Sequence, residues 1–574
     1  MKFFSFHQFN LKLIVAMCML FCLQTSNVYA QSFLRNTGGL HELWYNNLDL
    51  HRKTLFNKQH WVDASVPFNE NYADTIVRSN VVGYLIADWQ PPNNTLKKHF
   101  KKLPFYDNIG QFYYEQGDDY KIFLNPVLHF NIGKEGGKTI YQNTRGVEFK
   151  GNLGGDRGIG FYSYITENQW VYPSFADSFK NRMDVMPGQI WWKDFKKKGF
   201  DYIDARGYIT FTPIKKYVKA QFGYDKNFVG FGERSLILGS DAAPYLFLKL
   251  NTQFGKHFQY QNLFSKYTDY SPLLGNTLFA PKYGAMHRIT AKIGKGTFIG
   301  LTETVMFQRK DSGHNGYDLS YLNPVIFYRA AEINAGSNDN VIMALDFKQH
   351  FKNTIIYGQF VLDEFNLKFI KQNNGWWANK YGYQLGAKYS PETKAMFSVS
   401  AEYNKVRPYT YSHFNTGSSY AHFNQSLAHP LGANFQEIFS RIHWVPNMNF
   451  GLRKTEVTQS DGSVKKISVR DLLIINAEIS YAQKGVDSSR NGANYGGNII
   501  RPNNSRVQDF GNTFLQGQKI NALIADVTIS YRIGYASFFD FRTHYRSGSG
   551  YIGTGLSFSL GYRLNTDLSR WSWF

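Results

Sequence analysis

Two polar stretches of the chain combine aromatic rings with planar hydrogen-bond donors, a combination suited to holding sugars. One is Gly375–Tyr381, and the other begins at Arg407. Sugar rings pack their C–H faces on aromatic rings, and their hydroxyls bond to Arg, Asn, Gln and His side chains. The alternative is that these rings form an interfacial girdle or line a lumen. The residues predicted to contact a polysaccharide are Trp376, Trp377, Tyr381, Arg407, Tyr409, Tyr411, His413, His422, Asn424 and Gln425.

The sequence contains no pattern typical of catalysis or of nucleotide binding. Gly230-Phe231-Gly232 begins like a dinucleotide loop but lacks the third glycine and a following helical pattern, so it predicts a tight turn between strands. Asp363 and Glu364 resemble a glycosidase carboxylate pair, but neighbours on a strand point to opposite faces unless the strand ends there. They therefore predict an interior polar network. We expect no catalytic residue and no cofactor.

Metal binding is also disfavoured by the residue types and spacing. Three histidines fall in one segment, at positions that match no familiar zinc pattern: His413, His422 and His429. No cysteine lies near them, because both cysteines of the chain, Cys18 and Cys22, lie close to its start. We expect no metal site.

Apolar and polar residues alternate along much of the chain from Tyr120 onward, which predicts strands with one apolar and one polar face. Aromatic residues, 17% of the chain, often lie at the ends of these segments, and the mean hydropathy is only −0.39. This pattern favours an all-β fold, a transmembrane antiparallel β-barrel of roughly 18 strands over residues 118–574. The clearest segments are Val218–Asp225, Phe397–Tyr403, Ile475–Tyr481, Leu523–Ile533 and Leu556–Leu564.

The remaining segments predict export and short inserts. Residues 1–30 have a basic start, a short apolar run and Val28-Tyr29-Ala30, which predict a signal peptide cleaved after Ala30. Residues 31–117 alternate poorly and predict a plug or periplasmic element. Within the irregular insert 174–199, residues Ser174–Met183 predict a short helix.

The charge balance is strongly basic. Loss of two lysines with the signal peptide lowers the net charge from +21 to +19. A basic surface attracts polyanions, which outside the cytoplasm are phosphorylated lipopolysaccharide and acidic polysaccharide and not nucleic acid. Contact with lipid phosphates, together with a lysine-rich proteome, explains the same balance without a specific ligand.

Five long stretches resemble the Wzi-like capsule-assembly family of outer-membrane proteins, and most closely its Bacteroidetes branch, which includes the gliding-motility protein RemB. They are Gly230–Leu250, Leu322–Glu332, Tyr357–Phe365, Gly375–Tyr389 and Arg407–Glu437. The resemblance implies a barrel in the outer membrane, closed by helical elements on its periplasmic side, whose outer loops bind capsular polysaccharide. It also implies a role in capsule assembly, in gliding, or in both, with the gliding machinery as a possible partner.

Three functions remain open at this point. The first is a surface protein that binds or anchors polysaccharide. The second is a porin or transport channel, favoured by inward-facing charges such as Lys219, Asp526 and Arg532. The third, an outer-membrane hydrolase, is disfavoured because no nucleophile pattern is present, so we expect that the chain is not an enzyme.

Overall fold

The computed structural model describes residues 112–566, apart from short gaps. The gaps are residues 118, 155–158, 191, 197–198, 215–216, 256, 270–278, 295, 310–315, 325–326, 352, 392–395, 447–452, 459–463, 470–472, 489–490 and 535–536. The predicted signal peptide (1–30), and the predicted plug (31–117) up to residue 111, lie outside the described residues. In the part of the chain that the structure describes, no helix is long and apolar enough to cross a membrane.

Eighteen of the described strands form a closed antiparallel barrel, which confirms the predicted fold class and strand number. Each wall strand pairs with the next along the chain, and β24 closes the barrel by pairing with β2, for example Leu564 with Leu128. Two short strands, β1 and β5, extend the sheet at β2 and β6. The β16–β17 and β19–β20 pairs are separate ribbons.

The strands have the following bounds: β1 Tyr113–Gln116, β2 Tyr120–Glu135, β3 Lys138–Leu153, β4 Ile159–Val171, β5 Lys193–Phe195, β6 Gly199–Ile214, β7 Val218–Asp225, β8 Tyr245–Phe254, β9 Phe258–Asp269, β10 Ala280–Ile293, β11 Thr297–Phe307, β12 Asn340–His350, β13 Thr354–Glu364, β14 Lys380–Tyr389, β15 Met396–Val406, β16 Ala421–His422, β17 Gln425–Ser426, β18 Phe435–Val445, β19 Arg453–Thr458, β20 Val464–Val469, β21 Leu473–Val486, β22 Gln518–Gly534, β23 Ser537–Gly548 and β24 Thr554–Leu564. The described α-helices are α1 Ser174–Met183, α2 Tyr328–Ala335 and α3 Leu367–Lys371, and three 3₁₀ turns lie at Leu319–Leu322, Thr416–Ser418 and Asn503–Ser505. Helix α1 has the bounds that the sequence predicted.

The alternation in the sequence becomes an apolar outer surface and a polar interior. On β24, Leu556, Phe558 and Leu560 are exposed on the outside, whereas Ser557 and Ser559 are buried inside. On β22, Leu523 to Tyr531 face outward along about 26 Å of strand at roughly 3.3 Å per residue, enough for the apolar layer of a membrane barrel. A closed wall leaves no strand edge with unpaired backbone groups. Such closure is required in a hydrocarbon layer, where no water can bond to these groups.

The two ends of the barrel differ in their connections. At one end of the barrel, which we call the turn end, most connections have two to six residues, such as 294–296 and 351–353. At the other, the loop end, several connections are long, including 172–198, 226–244, 308–339 and 487–517. This asymmetry is typical of outer-membrane barrels, whose short turns face the periplasm.

One long connection folds into the lumen. Residues 226–244, the inner segment, join β7 to β8 and pack with the strands of the opposite wall and with residues 407–434. The sequence predicted a tight turn at Gly230-Phe231-Gly232, and this prediction is wrong. β7 ends at Asp225 and β8 begins only at Tyr245, so the glycines belong to a lumen segment.

A second connection covers the outside of the wall. Residues 316–339, the wall segment, are described apart from 325–326 and contain α2. Ala285, Val305 and Phe307 share the outward face of their strands with exposed neighbours, yet they are fully buried under Tyr321 and Tyr328. The adjacent Met286 packs into the lumen core instead, so one strand contributes to two cores on opposite sides of the wall.

Candidate functional site

The inner segment is held across the lumen by the carboxylate of Glu402 on β15. Its two oxygens accept the backbone N–H groups of Glu233 and Arg234, at 2.8 and 3.0 Å. Tyr357 and Asn404 donate to the same carboxylate, at 2.9 and 3.0 Å. A buried carboxylate needs such donors, since an unsatisfied one costs several kcal/mol, in rough terms. The inner segment therefore supplies two of the hydrogen-bond donors that the buried Glu402 carboxylate requires.

Two glycines let the inner segment approach that wall. Gly230 has a φ of +138°, and a Cβ there would lie 2.1 Å from the amide nitrogen of Gln359. A Cβ on Gly232 would lie 2.7 Å from Gln384 Oε1 and 2.9 Å from the Glu402 carboxylate. The positive φ disfavours a larger residue at Gly230, and at Gly232 a Cβ would also lie 2.7 Å from the backbone carbonyl oxygen of Arg234.

The tip of the inner segment reaches the turn half of the lumen. The Glu233 carboxylate pairs with Lys388, at 3.0 Å, and with Arg441. Phe231 lies beneath the charges of Arg288 and Lys348, 5.1 and 4.8 Å from its ring centre. Lys388 is the penultimate residue of β14 at the turn end, and Arg441 lies in the turn half of β18, so the tip of the inner segment extends beyond the loop half of the lumen.

The connection from β15 to β18 closes the lumen from above. Tyr411 N–H donates to Asp363 at 2.7 Å, and its hydroxyl donates to the carbonyl of Leu236 on the inner segment at 2.7 Å. Tyr409 and Tyr411 have φ values of 65° and 72°, a strained conformation for non-glycine residues. The Tyr409 hydroxyl donates to the carbonyl of Asn494 at 2.8 Å, so tertiary bonds hold both residues in place. Residues 407–434 and 487–517 together form the cap.

The three histidines of this segment have separate structural contacts. His422 accepts Thr268 N–H through Nδ1 and donates through Nε2 to the carbonyl of Pro244, at 3.0 and 3.1 Å. His429 contacts Glu437 at 2.6 Å, and His413 accepts the N–H of Asn415. Burial lowers the pKa of His413 to about 4 and that of His422 to about 3. Among the described residues, no group of three potential ligands could hold a metal ion.

Asp363 and Glu364 belong to a polar network at the end of β13. A register shift between Leu362 and Glu364 disturbs the strict alternation there. As a result, Lys380 Nζ lies 3.9 Å from the Asp363 carboxylate and 3.2 Å from that of Glu364. The predicted interior network therefore exists for Asp363, and the end of the strand brings Glu364 to the same ammonium group.

An aromatic platform lies at the loop end, where the connection 365–379 meets residues 487–517 of the cap. Trp376 packs on Phe369, with ring centres 4.7 Å apart, and Phe369 contacts Phe510 at 5.6 Å. The Arg506 guanidinium lies 4.1 Å from the centre of the Trp377 ring. Phe510 is about half exposed, and the two tryptophans are partly exposed. These four rings and Arg506 can present stacking faces and donors to a ligand outside the barrel.

Backbone hydrogen bonds join the two connections that carry the platform. Trp377 N–H donates to the carbonyl of Asp509 at 2.8 Å, and Asn512 N–H donates to that of Gly375 at 2.9 Å. Gly375 has a φ of +68°, and a Cβ there would lie 2.7 Å from Asn512 N. The glycine before the tryptophan pair is thus required for this close contact.

The structure divides the ten predicted sugar-contact residues into three groups. Trp376, Trp377, Tyr381 and Arg407 are partly exposed at the loop end. Asn424 is half-buried, and its amide donates to the carbonyl of Met183 at 3.0 Å. The other five are buried. Tyr411, His422 and Gln425 bond the cap to other parts of the chain. Tyr409 and His413 form their hydrogen bonds within the cap.

Sequence reasoning missed the contribution of residues 506–514. Arg506, Phe510 and Phe514 combine rings and a guanidinium in a polar stretch with Gly511 and Asn512. The rule that selected Gly375–Tyr381 selects this stretch as well. Their proximity to Trp377 depends on the pairing of two distant connections, which the sequence does not reveal.

The closed wall, the apolar outer belt and the unequal connections define a class of protein, an 18-strand membrane-spanning β-barrel of the outer-membrane type. No family model and no curated protein matches the chain. Among solved structures, the chain is similar to Wzi of Escherichia coli, an outer-membrane protein involved in group 1 capsule assembly and a carbohydrate-binding β-barrel. The identity is 12% and the TM-score 0.46, over 82% of this chain and 91% of that one.

Two other solved structures are similar at a comparable level. OprD of Pseudomonas aeruginosa matches with 10% identity and a TM-score of 0.40, over 78% of this chain and 94% of that one. OccK8 (OprE) of Pseudomonas aeruginosa matches with 7% identity and a TM-score of 0.41, over 78% and 98%. Since these scores lie below 0.5, the assignment of the class rests on the strand topology, the outer belt and the connections.

Proposed function

We propose that the chain is a surface protein of the bacterial outer membrane whose loop end binds polysaccharide. The observation that carries this proposal is the aromatic platform beside Arg506, on the outer end of a barrel whose lumen is filled. Arg506 already lies against the ring of Trp377, so a sugar ring packs on the exposed part of Trp376. Its hydroxyls accept bonds from Nη2 of Arg506, because Nε and Nη1 donate to Asp509 and to the carbonyl of Asn503. Tyr381 and Arg407 lie on the rim of the barrel beside this platform and are not part of it.

The filled lumen favours binding over transport. Eighteen-strand barrels are wide enough for an aqueous channel unless chain segments fill them. Here the inner segment and the cap occupy the interior and bond to the wall. The porin alternative would need an open path beside these segments. A hydrolase would need a nucleophile and base within the platform, and we propose a binding role without catalysis.

The biological role that we propose follows the sequence resemblance to the Wzi-like family and its RemB-containing branch. Retention of a capsular polysaccharide, support of gliding over surfaces, or both would use the same contact with surface glycan. A basic chain favours an acidic polysaccharide. The gliding machinery as a partner is part of this proposal.

Glycan binding by the purified full chain in detergent tests the proposal. We expect capsular polysaccharide from the producing cells to bind, and Trp376→Ala with Trp377→Ala to weaken binding at least tenfold. Trp444→Ala is the matched control, because Trp444 lies on the outward face of β18 near the turn end and should leave affinity unchanged. Equal binding by the platform variant and the parent chain would contradict the proposal.

An assay in cells separates the two biological roles. A strain that carries the platform variant is scored for retained capsule and for colony spreading. We expect at least one of the two to fall while the amount of barrel in the membrane stays constant. Normal values for both, despite lost glycan binding in vitro, would disconnect the site from capsule and motility.

A further inference from the structure

The outer wall carries an ordered change from apolar to polar residues across β14, β15, β18, β21 and β22. One row of cross-strand partners consists of Leu385, Tyr403, Ile438, Tyr481 and Leu523. The next row toward the loop end consists of Tyr383, Lys405, Gln436, Gln483 and Asn521. The first row is thus apolar apart from the hydroxyls of two tyrosines. The second row, two residues farther along each strand, contains three amides, one ammonium group and Tyr383. At each of these strands the step from the first row to the second is the place where we put the boundary between hydrocarbon and lipid headgroups. Because the strands of a barrel tilt, the row runs obliquely to the membrane plane.

Two cations lie at that level on the outside of the barrel. Lys405 shares the outward face of β15 with Tyr403, and its Nζ lies 4.2 Å from the centre of the Phe514 ring. The Arg407 guanidinium lies 5.7 Å from the same ring and 5.4 Å from that of Tyr381. Both positive groups therefore flank one aromatic ring.

Neither cation is neutralised by the protein. Among the described residues, no carboxylate forms an ion pair with Lys405 or Arg407, whereas buried cations such as Arg542 and Arg563 have one. Arg407 makes one side-chain bond, from Nη2 to the carbonyl of Asn512 at 3.3 Å. Its Nε is buried and has no hydrogen-bond partner. Two uncompensated charges beside a hydrocarbon boundary favour an anionic partner.

We propose that Lys405 and Arg407, with the rings of Tyr381 and Phe514, form a binding site for the phosphate group of an outer-leaflet glycolipid. The guanidinium and the ammonium group contact phosphate oxygens, since Arg and Lys are the usual phosphate ligands of proteins. The acyl chains of the same lipid lie on the apolar row below, and its sugars contact the two rings. This site does not depend on polysaccharide binding at the platform.

Native mass spectrometry of the full chain in detergent, with defined lipids, tests this site. We expect a phosphorylated lipid A to bind at least fivefold more than the same lipid without phosphates. Lys405→Gln with Arg407→Gln should remove this preference. The matched control is Lys266→Gln, because Lys266 is an outward lysine three residues from the loop end of β9. Its cross-strand partners on β8 and β10 are Leu246 and Tyr283, neither of which is a cation. The folding of each variant is checked on gels: the difference in migration between heated and unheated samples should be the same as for the parent chain.

Three outcomes would overturn the proposal. One is equal binding of the phosphorylated and the dephosphorylated lipid, and another is full binding by the double variant. The third concerns the source of the phosphate: inorganic phosphate or phosphatidylglycerol vesicles that compete as well as lipid A would show a site without glycolipid specificity. Loss of lipid binding with intact polysaccharide binding would separate this site from the platform.

Discussion

At the scale of single residues, carboxylates that accept backbone N–H groups hold the irregular segments to the barrel. Glu402 binds two consecutive amides of the inner segment, and Glu303 binds the amides of Tyr328 and Arg329 at the start of α2. Glu402 lies on the polar face of its strand like many other residues, whereas Glu303 interrupts the apolar face formed by Leu301, Val305 and Phe307. The partners of the two carboxylates are 169 and 25 residues away, which local patterns do not report.

Removal of the Glu402 carboxylate should release the inner segment. In Glu402→Ala the amides of Glu233 and Arg234 lose their acceptors, at a cost of about 1–3 kcal/mol for each buried donor. We expect hydrogen exchange at these amides to become at least tenfold faster while wall strands stay protected. Glu402→Gln is the control, because it keeps one acceptor oxygen and should show an intermediate rate. Unchanged exchange in Glu402→Ala would mean that other contacts hold the segment.

The cap should loosen in acid because His413 is held in its neutral form. Burial, and to a smaller extent Lys380, lowers its pKa to about 4, whereas an unfolded histidine titrates near 6.5. The released cap therefore takes up a proton first as pH falls, so the stabilising effect is complete above pH 6.5 and is lost toward pH 4. At pH 5 the loss is about 2 kcal/mol.

Hydrogen exchange of residues 407–434 at pH 7 and pH 5, corrected for intrinsic rates, measures this effect. We expect opening to increase at least tenfold at pH 5 in the parent chain. His413→Gln should show a smaller dependence, with the remainder due to His422, whose pKa burial also lowers. A cap that opens equally at both pH values would contradict this account.

At the scale of elements, the strands were predictable and the segments between them were not. Alternation along Leu523–Ile533 or Leu556–Leu564 reports a face because each strand is bordered by lipid on one side and a polar interior on the other. Helix α1 was also visible in the sequence. The inner segment lies inside the barrel and the wall segment lies outside it. In the sequence, however, both have the composition of polar connections with some apolar residues. The position of each segment depends on partners that are distant in the sequence, such as Glu402 and Glu303.

The same reason explains why the candidate site was predicted only in part. Trp376 and Trp377 are exposed enough to serve as a platform, as their composition suggested. Tyr409 and Tyr411 have the same residue types and neighbours, but their rings are buried against the inner segment and residues 487–517. Aromatic residues with polar tips suit both situations, and only the fold decides between them.

The wall segment should detach when the first N–H groups of helix α2 lose their acceptor, the carboxylate of Glu303. In Glu303→Ala the first amides of α2 are unsatisfied, and His287 loses the carboxylate 3.0 Å from its Nε2. Ala331→Cys supplies a buried label site on α2, and the described part of the chain has no other cysteine. We expect maleimide labelling at this cysteine to rise severalfold in Glu303→Ala. Ala330→Cys, which is exposed, should be labelled equally in both backgrounds. Equal protection of Ala331→Cys would contradict the capping role of Glu303.

At the scale of the whole molecule, an 18-strand wall is a frame wide enough for a water-filled channel, and the chain uses that width to hold its own segments. The inner segment connects one wall to the opposite one through backbone bonds and the Glu233 ion pairs. The wall segment shields the His287–Glu303 pair from the apolar layer on the outside. The outer surface thus stays apolar and chain segments occupy the interior, which is why the ligand contacts that we propose lie at the loop end and the rim.

Closure by the inner segment predicts a specific electrical behaviour. The parent chain in planar bilayers should show little conductance, because the inner segment and the cap fill the lumen. Replacement of residues 228–240 by a short Gly-Ser connection should give stable open channels, since the wall strands that form the barrel are unchanged. Replacement of residues 319–335 of the wall segment is the matched control: it removes a comparable length of chain from the outside, so it should leave conductance low. Large conductance in the parent chain would favour a transport role and remove the physical basis for a closed binding protein. No increase after loss of the inner segment would contradict its role in closure and would mean that the cap alone closes the lumen.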